Sequence, residues 1–461
     1  LIVSIAAILL AIALGYEAIW HGAGLRLLRP RWAAVMLACG GGVCFGLGAT
    51  SILWFLATLA IPGVRVPLVL LVELAALGGL AFLMRRTGVP VAAGESKPSA
   101  WRSNWAAAGA LALGAVIVTI SLVPSWQANP QGNWDAWSIW NLRARYLTAP
   151  GPLAARAWSP MLVETHPEYP LLLSGTVARA WTLGSNQSAE VPIAIGLVFL
   201  LSLVAAATGA VAIARGPSSG LLTGLVLLCT PGITSLAPAQ YADVPLAAFF
   251  VCAAGFALVD KPLWAGLFAG MAAWTKDEGL LFCVVLLTLL AVFRRRDLPR
   301  ALLGAVPGAL VVAVFKLLLS PQVSALGSSG TFGRLVDAQR YLPVLEGLVS
   351  SFWNLGVGWF HPVLPLLVYA FAVGLRKDDR SQQWLWTALA AAVLAGYTFV
   401  MLTTPQDLAW QIGTALDRLL AQWWPLAVIA VMTWLRSAEE AMPAVAVPAA
   451  APRTREKRKR A

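Results

Sequence analysis

The residues able to do chemistry in this chain fall into a few short polar islands within a largely apolar sequence. The first is Gly132-Asn133-Trp134-Asp135-Ala136-Trp137-Ser138-Ile139-Trp140-Asn141-Leu142-Arg143-Ala144-Arg145-Tyr146. An aspartate among aromatic rings is partly desolvated, a setting in which a carboxylate can serve as a general base. Arg143 and Arg145 carry the planar forks that bind phosphate. The same residues also describe an amphipathic interfacial helix with tryptophan anchors and one solvated acid.

The second island is His166-Pro167-Glu168-Tyr169-Pro170. A histidine and a glutamate two residues apart can share a metal or a hydrogen bond. Two ligands do not make a metal site, and a proline-rich turn leading into a helix has the same pattern. The third, Gln240-Tyr241-Ala242-Asp243-Val244-Pro245, reads as a helix start, with Asp243 as cap and a proline in the first turn. Capping and catalysis are compatible roles for that carboxylate. The fourth, Trp274-Thr275-Lys276-Asp277-Glu278-Gly279, is a charged hinge between two short apolar runs. It either sits in water or holds Lys276 at the level of a lipid phosphate. In the last, Asp417-Arg418-Leu419-Leu420-Ala421-Gln422-Trp423-Trp424-Pro425, an arginine stands where the final apolar run begins, to bind an anion or to snorkel to the interface.

The elements that must position these residues follow from composition. Of 461 residues, 59% are hydrophobic and 12% charged, and mean hydropathy is +0.75. A soluble domain carries roughly 25% charged residues, and runs such as Leu1–Leu14 and Leu280–Phe293 have no polar face to offer water. At roughly 20 residues per crossing the chain predicts an all-α polytopic membrane protein with about 13 transmembrane helices. We place them near 2–20, 33–61, 67–84, 105–124, 191–214, 217–237, 244–259, 262–275, 279–293, 301–320, 360–375, 383–403 and 422–436. Residues 1–104 form additional N-terminal transmembrane helices, 105–436 carry every polar island, and 437–461 form a basic tail predicted to be disordered. The sequence begins at Leu1 rather than Met, and Leu1–Trp20 reads as a first span rather than a signal anchor because more spans follow.

The net charge of +12, from 33 Lys and Arg against 21 Asp and Glu, would suggest a nucleic-acid partner in a soluble chain. Here the basic residues cluster between apolar runs: Arg26/Arg29/Arg31, Arg85/Arg86/Lys97/Arg102, Arg294/Arg295/Arg296/Arg300, Arg376/Lys377/Arg380 and the tail Arg453–Arg460. Alternating loops put all five clusters on one side, the cytoplasmic side by the positive-inside rule, with the tail against anionic lipid or acting as a topology signal. Nucleic acid is not the expected partner; the lipid bilayer is. Cys39, Cys44, Cys229, Cys252 and Cys283 all lie in apolar runs without metal-ligand spacing and read as packing residues.

The islands then share the extracytoplasmic side. The large outer loop 124–190 holds Trp126, Trp134, Trp137, Trp140, Trp158 and Trp181, which predicts interfacial helices at headgroup level, including Pro170–Gly184 with Arg179. A second outer segment, 321–359, is amphipathic around Tyr341–Phe352. Glu73 and Lys316 alone look deeply intramembrane. An ion-coupled transporter would carry charges near mid-bilayer on broken helices; polar chemistry gathered at one surface favours an enzyme. A non-catalytic scaffold would be expected to have lost the acids.

In order along the chain, NWDAWSIWNLRARY, HPEYPLLL, YADVPLAAFF, GLFAGMAAWTKDEGLLF and DRLLAQWWP resemble the GT-C glycosyltransferases, nearest to bacterial family 39-like members related to protein O-mannosyltransferases and aminoarabinose transferases. The likeness covers roughly residues 105–436; the first three spans lie outside it. It implies transfer of a sugar from a polyprenyl-phosphate donor to an acceptor glycan, lipid or protein, outside the plasma (inner) membrane. On this resemblance Asp135 is the base, and Asp243 is the second acid, supporting the acceptor or a divalent cation (Mg or Mn). On it Lys276 and Arg418 stand at the lipid phosphate, to which the forks of Arg143 and Arg145 add further candidate donors. His166, Glu168, Tyr241 and Glu278 are candidate substrate or metal contacts. A Lys-Pro-Pro pattern of the family is replaced by His166-Pro-Glu-Tyr-Pro, so its role does not carry over directly. The runner-up expectation is a transporter or flippase of lipid-linked sugars.

Overall fold

The computed structural model describes residues 1–60, 66–87, 105–149, 151–162, 165–321, 330–358, 360–377 and 380–442. Among them the chain is almost entirely helical, with no β-strand. Seven helices are long and apolar enough to cross a membrane: Ile2–Gly22, Arg31–Ala60, Ala108–Ala128, Glu190–Arg215, Leu298–Leu319, Arg380–Thr403 and Leu408–Trp434. Leu68–Leu83, Pro217–Leu228, Asp243–Leu258 and Val363–Val373 are apolar but shorter. Outward-facing side chains such as Ile120, Leu303 and Phe371 are as apolar as the inward ones, the surface that hydrocarbon solvates. The protein is a multi-pass membrane protein.

The Asp243–Leu258 helix is the axis of the bundle. It is hydrophobic all round, and every residue from Asp243 to Ala257 is buried, as expected of a helix enclosed on all sides. Helices Arg31–Ala60, Glu190–Arg215, Pro262–Thr275 and Asp417–Trp434 pack around it. Small residues permit the closest approach: Gly308 lies against Gly270, Gly304 against the Leu263 carbonyl, and a Cβ added at Gly266 would land within the Ala301 carbonyl. With no hydrophobic drive between helices in lipid, such backbone contact supplies packing energy.

The ends of the bundle differ in charge. At one end Arg294 pairs with Asp260 and donates to the Ala257 carbonyl at 2.7 Å. Arg85 reaches Glu17 at 2.7 Å, and Arg215 donates to the Leu435 carbonyl at 2.9 Å. The four polar islands and the start of the Asp417–Trp434 helix gather at the other end. Lys97, Arg102 and Arg453–Arg460 lie outside the described residues, as does most of the expected disordered tail; its first residues are ordered. Ser437 and Glu440 cap the one-turn helix Ala438–Ala441 reciprocally, and the Ala438 amide donates to Ser218 and Tyr369.

Three expectations are revised. The helix near 170–184 does not lie on the surface: Leu172–Gly184 is packed inside, with Arg179 almost wholly buried. Burial is tolerated because Arg179 Nε and Nη2 each reach a Glu73 carboxylate oxygen at 2.6 Å. The same pair explains Glu73 in an apolar run, and it ties the N-terminal helices to the rest of the bundle. Trp140, Trp158 and Trp181 are buried within the protein rather than exposed as surface anchors. Trp140 stacks on Tyr169, Trp158 packs on Phe55 and Phe315, and Trp181 donates to the Ser188 carbonyl at 2.8 Å. Lys316 stands near the acidic end, 2.7 Å from Asp277.

Candidate functional site

Four segments far apart in sequence meet at Asp243. Its carboxylate opens the central helix, 1% exposed, and takes Lys276 Nζ at 3.2 Å, Arg418 Nε at 3.1 Å and the Gln422 amide nitrogen. Arg418 Nη2 also reaches Asp135 Oδ2 at 2.7 Å, and its guanidinium lies 4.5 Å from the centre of the Tyr241 ring. Lys276 pairs with Glu278 at 2.9 Å and stands 5.9 Å from the Tyr169 ring. Asp135, Asp243, Lys276, Arg418, Tyr241 and Glu278 thus form one cluster.

The local sequence explains each placement. Gly132 turns the chain with φ +77°, and a Cβ there would collide with Ala136 and the Ala239 carbonyl, so the loop lies directly on the Ala239–Gln240 turn. Asn133 N donates to Ala239 O at 3.2 Å, Gln240 Nε2 to Pro130 O at 2.9 Å, and Asn141 Nδ2 to Gln240 Oε1 at 2.8 Å. These bonds hold Asp135 beside Tyr241. Lys276 interrupts the Pro262–Thr275 and Asp277–Phe293 helices in extended conformation, which lets its side chain turn back toward Asp243.

Each of the four π-turns among the described residues adjoins or contains a charged residue already named. Leu74–Gly78 follows Glu73, Ala136–Trp140 follows Asp135, Phe315–Leu319 contains Lys316, and Ile412–Leu416 precedes Asp417-Arg418. π-turns are rare and concentrate at functional positions, where the extra residue re-aims a side chain.

Burial by itself disfavours the Lys276 ammonium, but Asp243 and Glu278 outweigh it and hold its pKa above the usual lysine value. Burial raises the Tyr169 phenol well above its ordinary value, with Glu278, Asp277 and Glu168 adding to the shift. The cluster is therefore a fixed set of charges around neutral aromatic hydroxyls.

Other expected residues stand differently. Arg143 is fully buried and donates to the carbonyls of Ala157, His166, Pro167 and Tyr169 at 2.7–3.3 Å. Its fork clamps the loop, with its donors engaged by backbone carbonyls. Arg145 is exposed and bonds Gln131 at 3.3 Å. His166 and Glu168 form a hydrogen-bonded pair at 2.9 Å, with the imidazole stacked on Tyr169, so they border the cluster through that ring.

Gln422 and Tyr397 were not singled out as site residues. Tyr397 donates to Gln422 Oε1 at 2.8 Å, and both are buried. The available signal was a lone amide and a lone phenol within apolar runs, where polar groups need partners. The donor set does not fit a divalent cation. Among the described residues no three His, Cys, Asp or Glu side chains could hold a metal, and Arg418 occupies the space between Asp135 and Asp243. A shallow, open apolar groove lined by Leu222, Phe360, Leu364, Pro365, Val368, Tyr369 and Ala372 lies apart from the cluster.

Comparison with protein-family models, curated proteins and solved structures gives no match.

Proposed function

We propose that this chain is a membrane glycosyltransferase that moves a sugar from a polyprenyl-phosphate donor to an acceptor hydroxyl at the extracytoplasmic face. The observation that carries the reading is the convergence of Asp135, Asp243, Lys276 and Arg418, from four separate segments, at one end of the bundle. In this reading the seven long helices, the four shorter apolar ones, and the helices Pro262–Thr275 and Asp277–Phe293 together make thirteen crossings. The basic end faces the cytoplasm by the positive-inside rule, and the membrane is the plasma (inner) membrane.

The chemistry follows from charge and position. A polyprenyl tail stays in the bilayer, so its phosphate must be met at the headgroup plane, where helix ends lie. The acceptor oxygen attacks the anomeric carbon as the bond from that carbon to the phosphate oxygen breaks, and the electron pair leaves with the phosphate. Lys276 and Arg418 stabilise that growing charge. Asp135 takes the acceptor proton, and displacement from the face opposite the phosphate inverts the anomeric centre. Asp243, held by three donors, fixes both cations. No step requires a metal.

The test is incubation of purified protein with radiolabelled polyprenyl-phosphate sugars and candidate acceptors. Sugar release or transfer should appear with at least one donor and fall by about 10²–10⁴-fold in Asp135→Asn. A wild-type protein that releases sugar from none of them would overturn the reading and favour a lipid-linked-sugar transporter.

A further inference from the structure

Arg418 is shared by two carboxylates of unequal standing. Its Nη2 lies 2.7 Å from Asp135 Oδ2 and 3.1 Å from Asp243 Oδ2, and its Nε adds a second bond to Asp243. Asp243 is buried and also held by Lys276 and Gln422. Asp135 stands on the loop with its side chain 17% exposed, and among the described residues its ion pair is with Arg418 alone. An anion entering from the bulk therefore meets one carboxylate that is locked and one that can leave.

We infer that the Asp135–Arg418 pair is a latch opened by the donor's phosphate. In the resting site Arg418 occupies the carboxylate of the candidate base. An arriving polyprenyl phosphate takes over Arg418 Nη2, and Asp135 turns toward the acceptor with its oxygen free to receive a proton. The exchange conserves charge around Arg418, one anion replacing another, and the guanidinium keeps its anchors on Asp243 and the Tyr241 ring throughout. The consequence is an order of events: the base leaves its cation only when donor is bound. This inference rests on the donor reading above.

Full-length protein in nanodiscs, titrated with a polyprenyl monophosphate and separately with the uncharged polyprenol of equal length, tests it. If Asp135 competes for Arg418, Asp135→Asn binds the monophosphate about two- to fivefold tighter than wild type, the scale of a partly exposed ion pair. Polyprenol binding stays the same, and the gain disappears when Asp135→Asn is compared in an Arg418→Gln background. Asp135→Ala provides a second variant, and thermal unfolding verifies that each preparation is folded. Equal or weaker monophosphate binding by both Asp135 variants overturns the latch while leaving the donor reading intact, as does a gain that persists without Arg418. A wild-type protein that does not prefer the monophosphate to the polyprenol overturns the donor reading itself.

Discussion

Tyr397 donates its hydroxyl to Gln422 Oε1 at 2.8 Å, and this single bond decides which end of the amide faces Asp243. With its oxygen engaged, Gln422 presents only its NH2 group to the carboxylate. A relay thus runs from the Arg380–Thr403 helix through the Asp417–Trp434 helix to the start of the central one. Tyr397→Phe should preserve the fold, free the amide to turn, and lower turnover about three- to tenfold, the scale of one buried hydrogen bond. Steady-state kinetics on a donor identified as above would measure it. Unchanged turnover in a folded variant would separate the relay from the site.

Arg179 and Glu73 make a second prediction, about stability. Removing one partner leaves a charge stranded in a dry interior, so Arg179→Met should destabilise the protein by about 3–5 kcal/mol. Adding Glu73→Gln should restore much of that loss. Unfolding curves in detergent for the two single variants and the double variant give the coupling directly, and simple additivity would contradict an isolated pair.

Gly266 tests the packing. No side chain fits between its Cα and the Ala301 carbonyl, so Gly266→Val must push the Pro262–Thr275 and Leu298–Val314 helices apart. We expect a loss of at least about 1–3 kcal/mol from overpacking, read as a lower melting temperature. Activity should fall too, because Lys276 follows the first of these helices.

Arg143 distinguishes a loop clamp from a phosphate ligand. Lysine keeps the charge but has no fork to span four carbonyls. Arg143→Lys should expose the loop 149–170 to limited proteolysis while leaving the affinity for polyprenyl monophosphate within about twofold of wild type, because the positive charge is kept and the lost bonds are to backbone carbonyls. Selective loss of phosphate binding with an intact loop would reverse the assignment.

The Glu168 carboxyl gives a pH dependence. Burial pushes its pKa up, but the hydrogen bond from His166 and nearby positive charge outweigh that, and the net value lies below the usual one. A depressed folded pKa means the pair's contribution is complete above the ordinary glutamate range and is lost as pH falls through the folded value. Protease sensitivity of the 165–170 loop should therefore rise on acidification below the normal carboxylate range, and Glu168→Gln should abolish that dependence. A loop equally acid-sensitive in the variant would point to another group.

Much of the cluster was legible because charge is scarce in an apolar chain. Asp135, Asp243, Lys276 and Arg418 each break an apolar context, and each stands at a helix end or hinge that the sequence marks with proline, glycine or aromatic residues. What sequence spacing could not reveal was pairing. Arg179 looked like a surface residue and Glu73 like an isolated intramembrane acid until each was found holding the other. Arg143 looked like a phosphate ligand because a lone arginine suggests an anion, whereas four backbone carbonyls satisfy it equally well. The buried tryptophans were hidden for a related reason: spacing does not show that Trp140 stacks on Tyr169 or that Trp158 packs on Phe55. Gln422 was visible in the sequence, but its role depends on Tyr397, which nothing local connects to it.

The π-turn Ile412–Leu416 makes the winding of the chain ahead of Arg418 as consequential as its side chains. One residue corresponds to about 100° of helical rotation, so the same residues wound as an ordinary α-helix would swing Arg418 by about that angle relative to the preceding turn. Asp243 and Asp135 would then lose their common cation without a single charged residue having been replaced. The same holds for Asp135 across Ala136–Trp140. Changes that rewind these turns as regular helix without altering their length should behave like substitutions of the site itself.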